Sequence, residues 1–406
     1  MGKCSTLDPR DNPYTPNAGA RPPLLVGRDD QLTSFDVLLA RLERGFTEQS
    51  MIITGLRGVG KTVLLSAFEE AADKRNWVTI DAEITKNTPF GPRMANLARK
   101  TLFGIAPRAR WGERARRAAA VLKSFSVSVT AEGSVTAGLD VDSAEGFADS
   151  GQLDEDLTEL LVAIGEAARE HETGVVFLFD EVQFLSSAEL EALIAALHKV
   201  VQRQLPVTLV GAGLPQIPRL AGEAKSYAER LFKFPHIGSL PTADATRALT
   251  QPAADQGVQF TPAAVEAIVT YTQGYPYFLQ EYGKTVWDEA TASPIDLGLV
   301  TQCQVLVEAK LDSSFFRVRA QRTTDLELQY LRAMAELGPE PQKAADVARL
   351  MNRTSEQMGP TRSRLIDKGL LYTPGHGMAA FTVPQFDRYM TRTHELQVSP
   401  PRPRRR

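Results

Sequence analysis

Met51-Ile52-Ile53-Thr54-Gly55-Leu56-Arg57-Gly58-Val59-Gly60-Lys61-Thr62-Val63 is the stretch on which the fold turns. Met51 to Thr54 is a short apolar run, and helical spacing resumes from Val63 to Ala72. Between them, Gly55 to Thr62 fits G-x-x-x-x-G-K-[ST] in the strand, loop and helix setting that this pattern requires. Glycines let the backbone turn tightly and point its N–H groups inward. Those donors, with the positive end of the following helix, surround a phosphate anion. Lys61 then reaches the terminal phosphates as a point charge, and the Thr62 hydroxyl is a candidate ligand for Mg²⁺.

Working outward, Val175-Val176-Phe177-Leu178-Phe179 is wholly apolar and ends in Asp180-Glu181. A run without alternation suits a strand buried on both faces. Ligands of open α/β sheets bind at the carboxyl ends of the strands. Asp180 is therefore a candidate for the metal shell, and Glu181 for orienting and deprotonating a water in line with a γ-phosphate. Residues 29–45 have helical spacing, Trp77 to Ile80 and Val207 to Val210 read as strands, and Leu185 to Val201 as a helix. Strands alternating with helices predict an α/β fold with a parallel sheet. Ser126–Val129 and Ser134–Val141 alternate around Glu132-Gly133, which predicts an inserted β-hairpin at about 126–141.

The loop, the strand ending in two acids, and their layout resemble AAA+-type ATPases. Within these the resemblance is to the prokaryotic group with an origin-recognition-like ATPase domain, near the STAND signalling ATPases. It extends over about residues 12–394. It implies a P-loop NTPase sheet flanked by helices, then a small helical lid and a C-terminal winged helix. It also implies ATP and Mg²⁺ as ligands, ATP hydrolysis, and a homo-oligomer formed on ATP binding. Leu25-Val26-Gly27-Arg28 stands where such proteins place an adenine-contacting segment. By itself it is only an apolar stretch with a glycine turn. Gly274-Tyr275-Pro276 resembles the G-x-P motif of the STAND lid, whose implied role is contact with adenine or ribose. Without the resemblance it is a helix stop followed by a turn. Arg230, just before a strand-like segment, stands where an arginine finger would reach a neighbouring subunit's phosphate, and a surface arginine is the alternative. Two departures matter. Val210-Gly211-Ala212-Gly213-Leu214 offers no Asn, Thr or Ser as a water-orienting sensor, with Gln216 as the nearest substitute, and no arginine follows Pro276. Both favour a slow switch over a fast motor.

The expected division is an extended lead-in over 1–23, an ATPase core over 24–240, a lid over 241–312, a winged helix over 313–394 and a basic tail over 395–406. The lid helices are expected at Thr242–Ala253, Ala263–Thr272 and Phe278–Ala290. The winged helix is expected from Asp325–Glu336, Lys343–Met351, a third helix capped by Thr354 and closed by Gly369, and a hairpin around Pro374-Gly375-His376-Gly377. Pro360 is placed in the first turn of that third helix, where proline is tolerated. Residues 317–394 carry twelve basic and eight acidic side chains, and Arg353, Arg362, Arg364 and Lys368 lie on or beside the third helix. That makes DNA contact through phosphates one candidate role, and protein interaction or autoinhibition the other.

Composition adds bounds. At 406 residues and about 150 per domain, two to four domains are expected. Hydrophobic residues at 43% and charged residues at 23% are ordinary for a globular chain. No membrane span and no secretory leader are expected. Cys4 and Cys303 stand far apart, so neither a disulfide framework nor a zinc site is expected, and the reduced cytoplasm is the expected compartment. The net charge is −3, but nine basic residues against Glu113 lie between Arg93 and Lys123, and twelve acids against Arg169 between Ala131 and Glu172. These blocks are either mutually neutralising surfaces or a basic face for nucleic acid or a partner. The tail VSPPRPRRR cannot pack a core.

Overall fold

The computed structural model describes residues 7–129 and 141–397. The chain divides into two units: Arg28–Gly55 with Lys61–Ile237, and Met1–Gly27 with Leu56–Gly60 and Gly238–Arg406.

In the first unit, α1 (Asp29–Glu43), β1 (Ser50–Thr54), α2 (Lys61–Asp73), β2 (Val78–Glu83), α3 (Phe90–Ile105), α4 (Glu113–Val129) and α5 (Leu153–Glu170) follow in order. They are succeeded by β3 (Val175–Asp180), α6 (Ser187–Gln202), β4 (Val207–Gly213), α7 (Ile217–Ala224), α8 (Ala228–Leu231) and β5 (Phe232–Lys233). The strands form one parallel sheet in the order β2-β3-β4-β1-β5. Every residue of β1 and β4 is buried, as are the first five of β3. This is the sandwiched-strand pattern read from the apolar runs. The registers Thr54↔Gly213 and Phe179↔Gly211 bring the carboxyl ends of β1 and β3 to either side of β4. With strands about 4.8 Å apart, those two ends are about 10 Å from each other.

The alternation at Ser126–Val129 belongs to the last turn of α4, not to a strand. Its serines are satisfied without water. Ser126 Oγ donates to the Leu122 carbonyl at 2.7 Å, and Ser128 Oγ to Asp156 Oδ2 at 2.7 Å. Polar residues that bond inward mimic a period of two. Residues 130–140, which hold Glu132-Gly133 and most of the second expected strand, lie outside the described residues. The charge blocks partly neutralise each other where α4 meets α5. Arg114 pairs with Glu166 at 3.0 Å, and the Glu170 carboxylate accepts the backbone N–H groups of Arg114 and Ala115 at the start of α4.

In the second unit, α9 (Thr242–Asp255), α10 (Pro262–Thr272), α11 (Pro276–Glu289) and α12 (Leu297–Lys310) form the helical lid. The lead-in is fastened to it. Buried Tyr14 donates its hydroxyl to the Leu249 carbonyl, and Asn12 Nδ2 donates to Asp288 Oδ1 at 2.7 Å. A π-wound segment, Leu311–Phe316, and α13 (Arg317–Ala320) lead into α14 (Asp325–Leu337), β6 (Gln342–Lys343), α15 (Ala344–Leu350), α16 (Ser355–Asp367), β7 (Leu371–Tyr372), β8 (Met378–Phe381) and α17 (Phe386–Thr393). Helix, strand, two helices and a hairpin, with β8 paired antiparallel between β6 and β7, are the elements of a winged helix. Thr354 caps α16 through the Gln357 amide, within a full capping box. Pro360, however, lies past the first turn of α16, which begins at Ser355. The helix therefore forgoes one internal bond there. Among the described residues no helix is long and apolar enough to cross a membrane.

Candidate functional site

Gly55, Lys61 and Thr62 belong to the sheet unit, and Leu56–Gly60 to the unit of the lid and winged helix. Gly58 and Gly60 have φ of +86° and +92°. Side chains avoid that region, so both glycines are needed for the turn.

On the sheet side, α2 starts at Lys61 and so presents its first N–H groups at the loop. Lys61 is 7% exposed, and its ammonium donates to the Gly55 carbonyl at 3.0 Å. Thr62 Oγ1 donates to Asp180 Oδ2 at 2.5 Å, joining the loop to the end of β3. Glu181 follows in a left-handed turn, φ +55°, with its own N–H on Asp180 Oδ1 at 2.7 Å. The sheet thus brings together Lys61, Thr62, Asp180 and Glu181, four residues that lie 120 positions apart at the extremes.

Arg230 is not among them. It precedes β5, whose Phe232 pairs with Ser50 at the start of β1, while His236 bridges to Thr54 at its end. Four residues of strand separate those levels, about 13 Å. Arg230 is therefore at the opposite edge of its own sheet from the loop. It is exposed, and its guanidinium makes no ion pair among the described residues. That geometry keeps it away from the loop of its own chain, and a surface arginine remains the other reading.

On the other side, the middle of the loop is gripped. The Tyr275 hydroxyl donates to the Arg57 carbonyl, and the Arg57 N–H donates to the Thr382 carbonyl just after β8 at 3.1 Å. A Cβ on Gly58 would stand 3.1 Å from the Tyr275 ring. The Arg57 guanidinium lies at Gly369, where a Cβ would come within 2.9 Å of it. So the expected lid motif meets the loop through its middle residue. Gly274 is fixed by a different need: its carbonyl accepts from the Leu240 amide, and a Cβ there would lie 2.3 Å from the Leu240 carbonyl oxygen. Pro276 opens α11 at its first position. Val26 is buried, and Gly27 is packed so closely on the lid that a Cβ would stand 2.8 Å from Asp244 Oδ2. Arg28 is buried at the N-cap of α1.

Residues 24–210 match the AAA ATPase domain family. The chain carries an AAA ATPase domain. Residues 313–390 match a Domain of unknown function (DUF8462). The chain is similar in fold to the Walker-type ATPase of Pyrococcus abyssi, with a TM-score of 0.53 and 14% identity over 90% of this chain and 96% of that one. It is also similar to the ORC2 protein of Aeropyrum pernix, solved as ADPNP-ADP complexes, with a TM-score of 0.52 and 18% identity over 92% and 95%. No curated protein matches the sequence.

Three residues around the loop and the acid pair escaped the sequence. Tyr275 was visible only as the variable middle of G-x-P. Arg319 lies over the Phe315 ring at 4.1 Å. Burial and the nearby Arg57 push its guanidinium down to about 10. Gln183 carries its amide to Glu181 and to the tip of β4. Gln216, the expected substitute sensor, caps α7 without a side-chain cap bond.

The basic cluster on α16 is also smaller than the sequence indicates. Glu327 is fully buried. It takes Lys368 Nζ at 2.6 Å, Arg364 Nε at 3.1 Å and the Thr324 amide at 2.8 Å. Two of the four proposed phosphate contacts thus tie α16 to α14. Arg353 and Arg362 lie outside that pairing. Burial alone would raise the Glu327 carboxyl, but the Lys368, Thr324 and Arg364 hydrogen bonds outweigh it and hold the group at about 2, below its ordinary 4.5. A depressed carboxyl stabilises above its unfolded pKa, and that contribution is lost as pH falls through the folded one. Glu327→Gln is therefore expected to cost about 2 kcal/mol at neutral pH. The difference from the parent should shrink between pH 4.5 and about 2. Thermal unfolding across that range measures it, and a difference that grows on acidification would contradict it.

Proposed function

We propose that the protein is an ATP-binding, slowly hydrolysing AAA+ ATPase of STAND type, in which nucleotide occupancy sets the state of a winged-helix output module. One observation carries this reading: the same eight-residue loop offers Lys61 and Thr62 to a phosphate and hands Arg57 to Tyr275 of the lid and Thr382 of the wing. The amides from Gly58 onward cradle the phosphates. The Arg57 peptide, one step earlier, is held on both sides within its own unit, by Tyr275 and Thr382. Whatever orders the loop therefore biases the wing, and the wing in turn biases nucleotide affinity by the same free energy.

The residues fit Mg²⁺. A hard cation takes oxygen donors, and the Thr62 hydroxyl and Asp180 carboxylate already touch. Among the described residues no group of three His, Cys, Asp or Glu could hold a metal alone. That suits a cation sharing its shell with phosphate oxygens. When bound, Mg²⁺ supplies positive charge against the β- and γ-phosphate oxygens. Thr62 and Asp180 would hold it, Lys61 would bind the terminal phosphates, and Glu181 would accept the proton of the attacking water. The absence of Asn, Ser or Thr at the tip of β4 supports slow turnover. Arg230 acts only across a subunit boundary, on a neighbour's γ-phosphate, in a homo-oligomer.

Hydrogen exchange on the full chain, with and without MgATP, tests the coupling. Exchange in residues 369–383 and 273–278 is expected to fall when nucleotide binds. Tyr275→Phe, which removes the hydroxyl that donates to the Arg57 carbonyl, should keep nucleotide affinity within about threefold, a change under about 1 kcal/mol, yet weaken the response in 273–278. Nucleotide binding that leaves those segments unchanged in the parent would refute the switch. No nucleotide binding at all would refute the whole reading.

A further inference from the structure

We propose that Gln183 is the residue that positions Glu181 for water activation, and that it does so by bridging the Glu181 carboxylate to the tip of β4. The proposal rests on the hydrolytic reading above and assigns a role to a residue outside the phosphate loop and its acid pair.

Three observations converge on it. Gln183 lies in the short turn Val182–Phe184 directly after Glu181. Its Nε2 donates to Glu181 Oε2, and its Oε1 accepts from the Leu214 amide at 3.1 Å. An amide group can be placed either way round, and its partners decide which. The Leu214 N–H can only donate, so Oε1 must face it and Nε2 must face the carboxylate. The network therefore fixes which end of Gln183 meets Glu181.

The second observation is Gly213. A Cβ there would stand 2.7 Å from Gln183 Oε1 and 3.0 Å from both Ile217 and Val182 side-chain atoms. Any other residue at the tip of β4 would push the Gln183 amide off its bridge. The missing polar side chain in Val210-Gly211-Ala212-Gly213-Leu214 and the close approach at Gly213 are thus one fact. The strand has no polar side chain at its tip because a polar side chain from the neighbouring strand's turn occupies that place.

The third is the backbone at Glu181. Its φ of +55° is unfavourable for a side chain-bearing residue. A residue held in that region persists only when its surroundings over-determine it. Asp180 takes its N–H at 2.7 Å, and Gln183 takes its carboxylate. A carboxylate has about four acceptor positions. One amide donor therefore sets its plane without exhausting its capacity to accept from a water. Gln183 acts through Glu181, so it is a positioning residue. Its effect should fall on the chemical step.

The test compares Gln183→Ala, Gln183→Glu and Glu181→Gln with the parent by steady-state phosphate release and MgATP titration. Misplacing a reacting group by about 1 Å costs about a hundredfold. Gln183→Ala is expected to lower kcat by about ten- to a hundredfold while the MgATP Kd stays within about twofold. Gln183→Glu keeps the shape and removes the donor, so it should be at least as impaired. A crystal structure of Gln183→Ala should show the Glu181 carboxylate withdrawn from the tip of β4. Gly213→Ala should reproduce the kcat loss without touching a titratable group. Unchanged kcat in Gln183→Ala or Gln183→Glu, or an unmoved Glu181 in the crystal, would overturn the proposal. A parallel loss of MgATP affinity would assign Gln183 to folding of the site and overturn it equally. If Glu181→Gln also leaves turnover unchanged, the failure lies with Glu181 as the base and takes this proposal with it.

Discussion

Lys61→Ala is expected to weaken MgATP binding by about a hundredfold, which corresponds to about 3 kcal/mol. The Lys61 side chain is nearly inaccessible, and its ammonium already sits inside the loop on the Gly55 carbonyl. A triphosphate entering there finds a positive charge that has lost most of its water. Such a charge gives charge-assisted bonds of about 1.5–3 kcal/mol each. The amides of the loop and the start of α2 remain in the variant, so binding is weakened and not abolished. Stability without nucleotide should change little. Alanine gives up one bond to a carbonyl but also removes a buried charge that costs free energy to desolvate. Lys61→Arg should not restore affinity, because a planar fork does not replace a compact ammonium. Calorimetric titration gives the affinity, and thermal unfolding of the unliganded variants gives the control. Parent-like MgATP affinity in Lys61→Ala would mean that this loop is not the nucleotide site.

What could be read from the sequence follows from how local the determinants are. The phosphate loop and the strand ending in Asp180 and Glu181 are local patterns, and the sheet put them at the tips of the two strands that flank β4. The lid and winged-helix elements were legible because caps and glycine stops are local too: Thr354 and Gly369 stand where the helix begins and ends. The errors have a common cause. Ser126 and Ser128 looked like the polar half of a strand because their partners, Leu122 and Asp156, are not visible in an alternation count. Arg364 and Lys368 looked like free cations because the carboxylate that binds them, Glu327, is some forty residues earlier in the chain. Gln183 and Tyr275 carry no motif of their own. Each is defined by a tertiary partner, Leu214 in one case and Arg57 in the other. Sequence patterns therefore reported the groups proposed to meet a phosphate, and missed those that hold these groups in place.

Glu181→Gln is expected to lower ATP turnover by about 10²- to 10³-fold with MgATP affinity unchanged. The substitution is close to isosteric, which isolates the base from the scaffold. Glutamine at position 181 retains a carbonyl oxygen that can accept from the Gln183 amide, and the Asp180 carboxylate still takes the backbone N–H. Thr62 and Asp180, the residues assigned to the cation, are untouched. What is lost is the capacity to take a proton from the attacking water, and proton transfer by a placed side chain is worth about that factor. The variant should therefore collect in an ATP-bound state. If occupancy sets the wing, it should show the nucleotide-protected exchange pattern at 369–383 persistently, whereas the parent relaxes as ATP is consumed. Single-turnover hydrolysis and steady-state phosphate release measure the rate. Two results would be decisive against this assignment. Parent-level turnover in the variant would move the base elsewhere. Parent turnover no faster than buffer would leave a protein that binds nucleotide as a permanent structural part, with Asp180 and Glu181 serving the cation and the turn rather than chemistry.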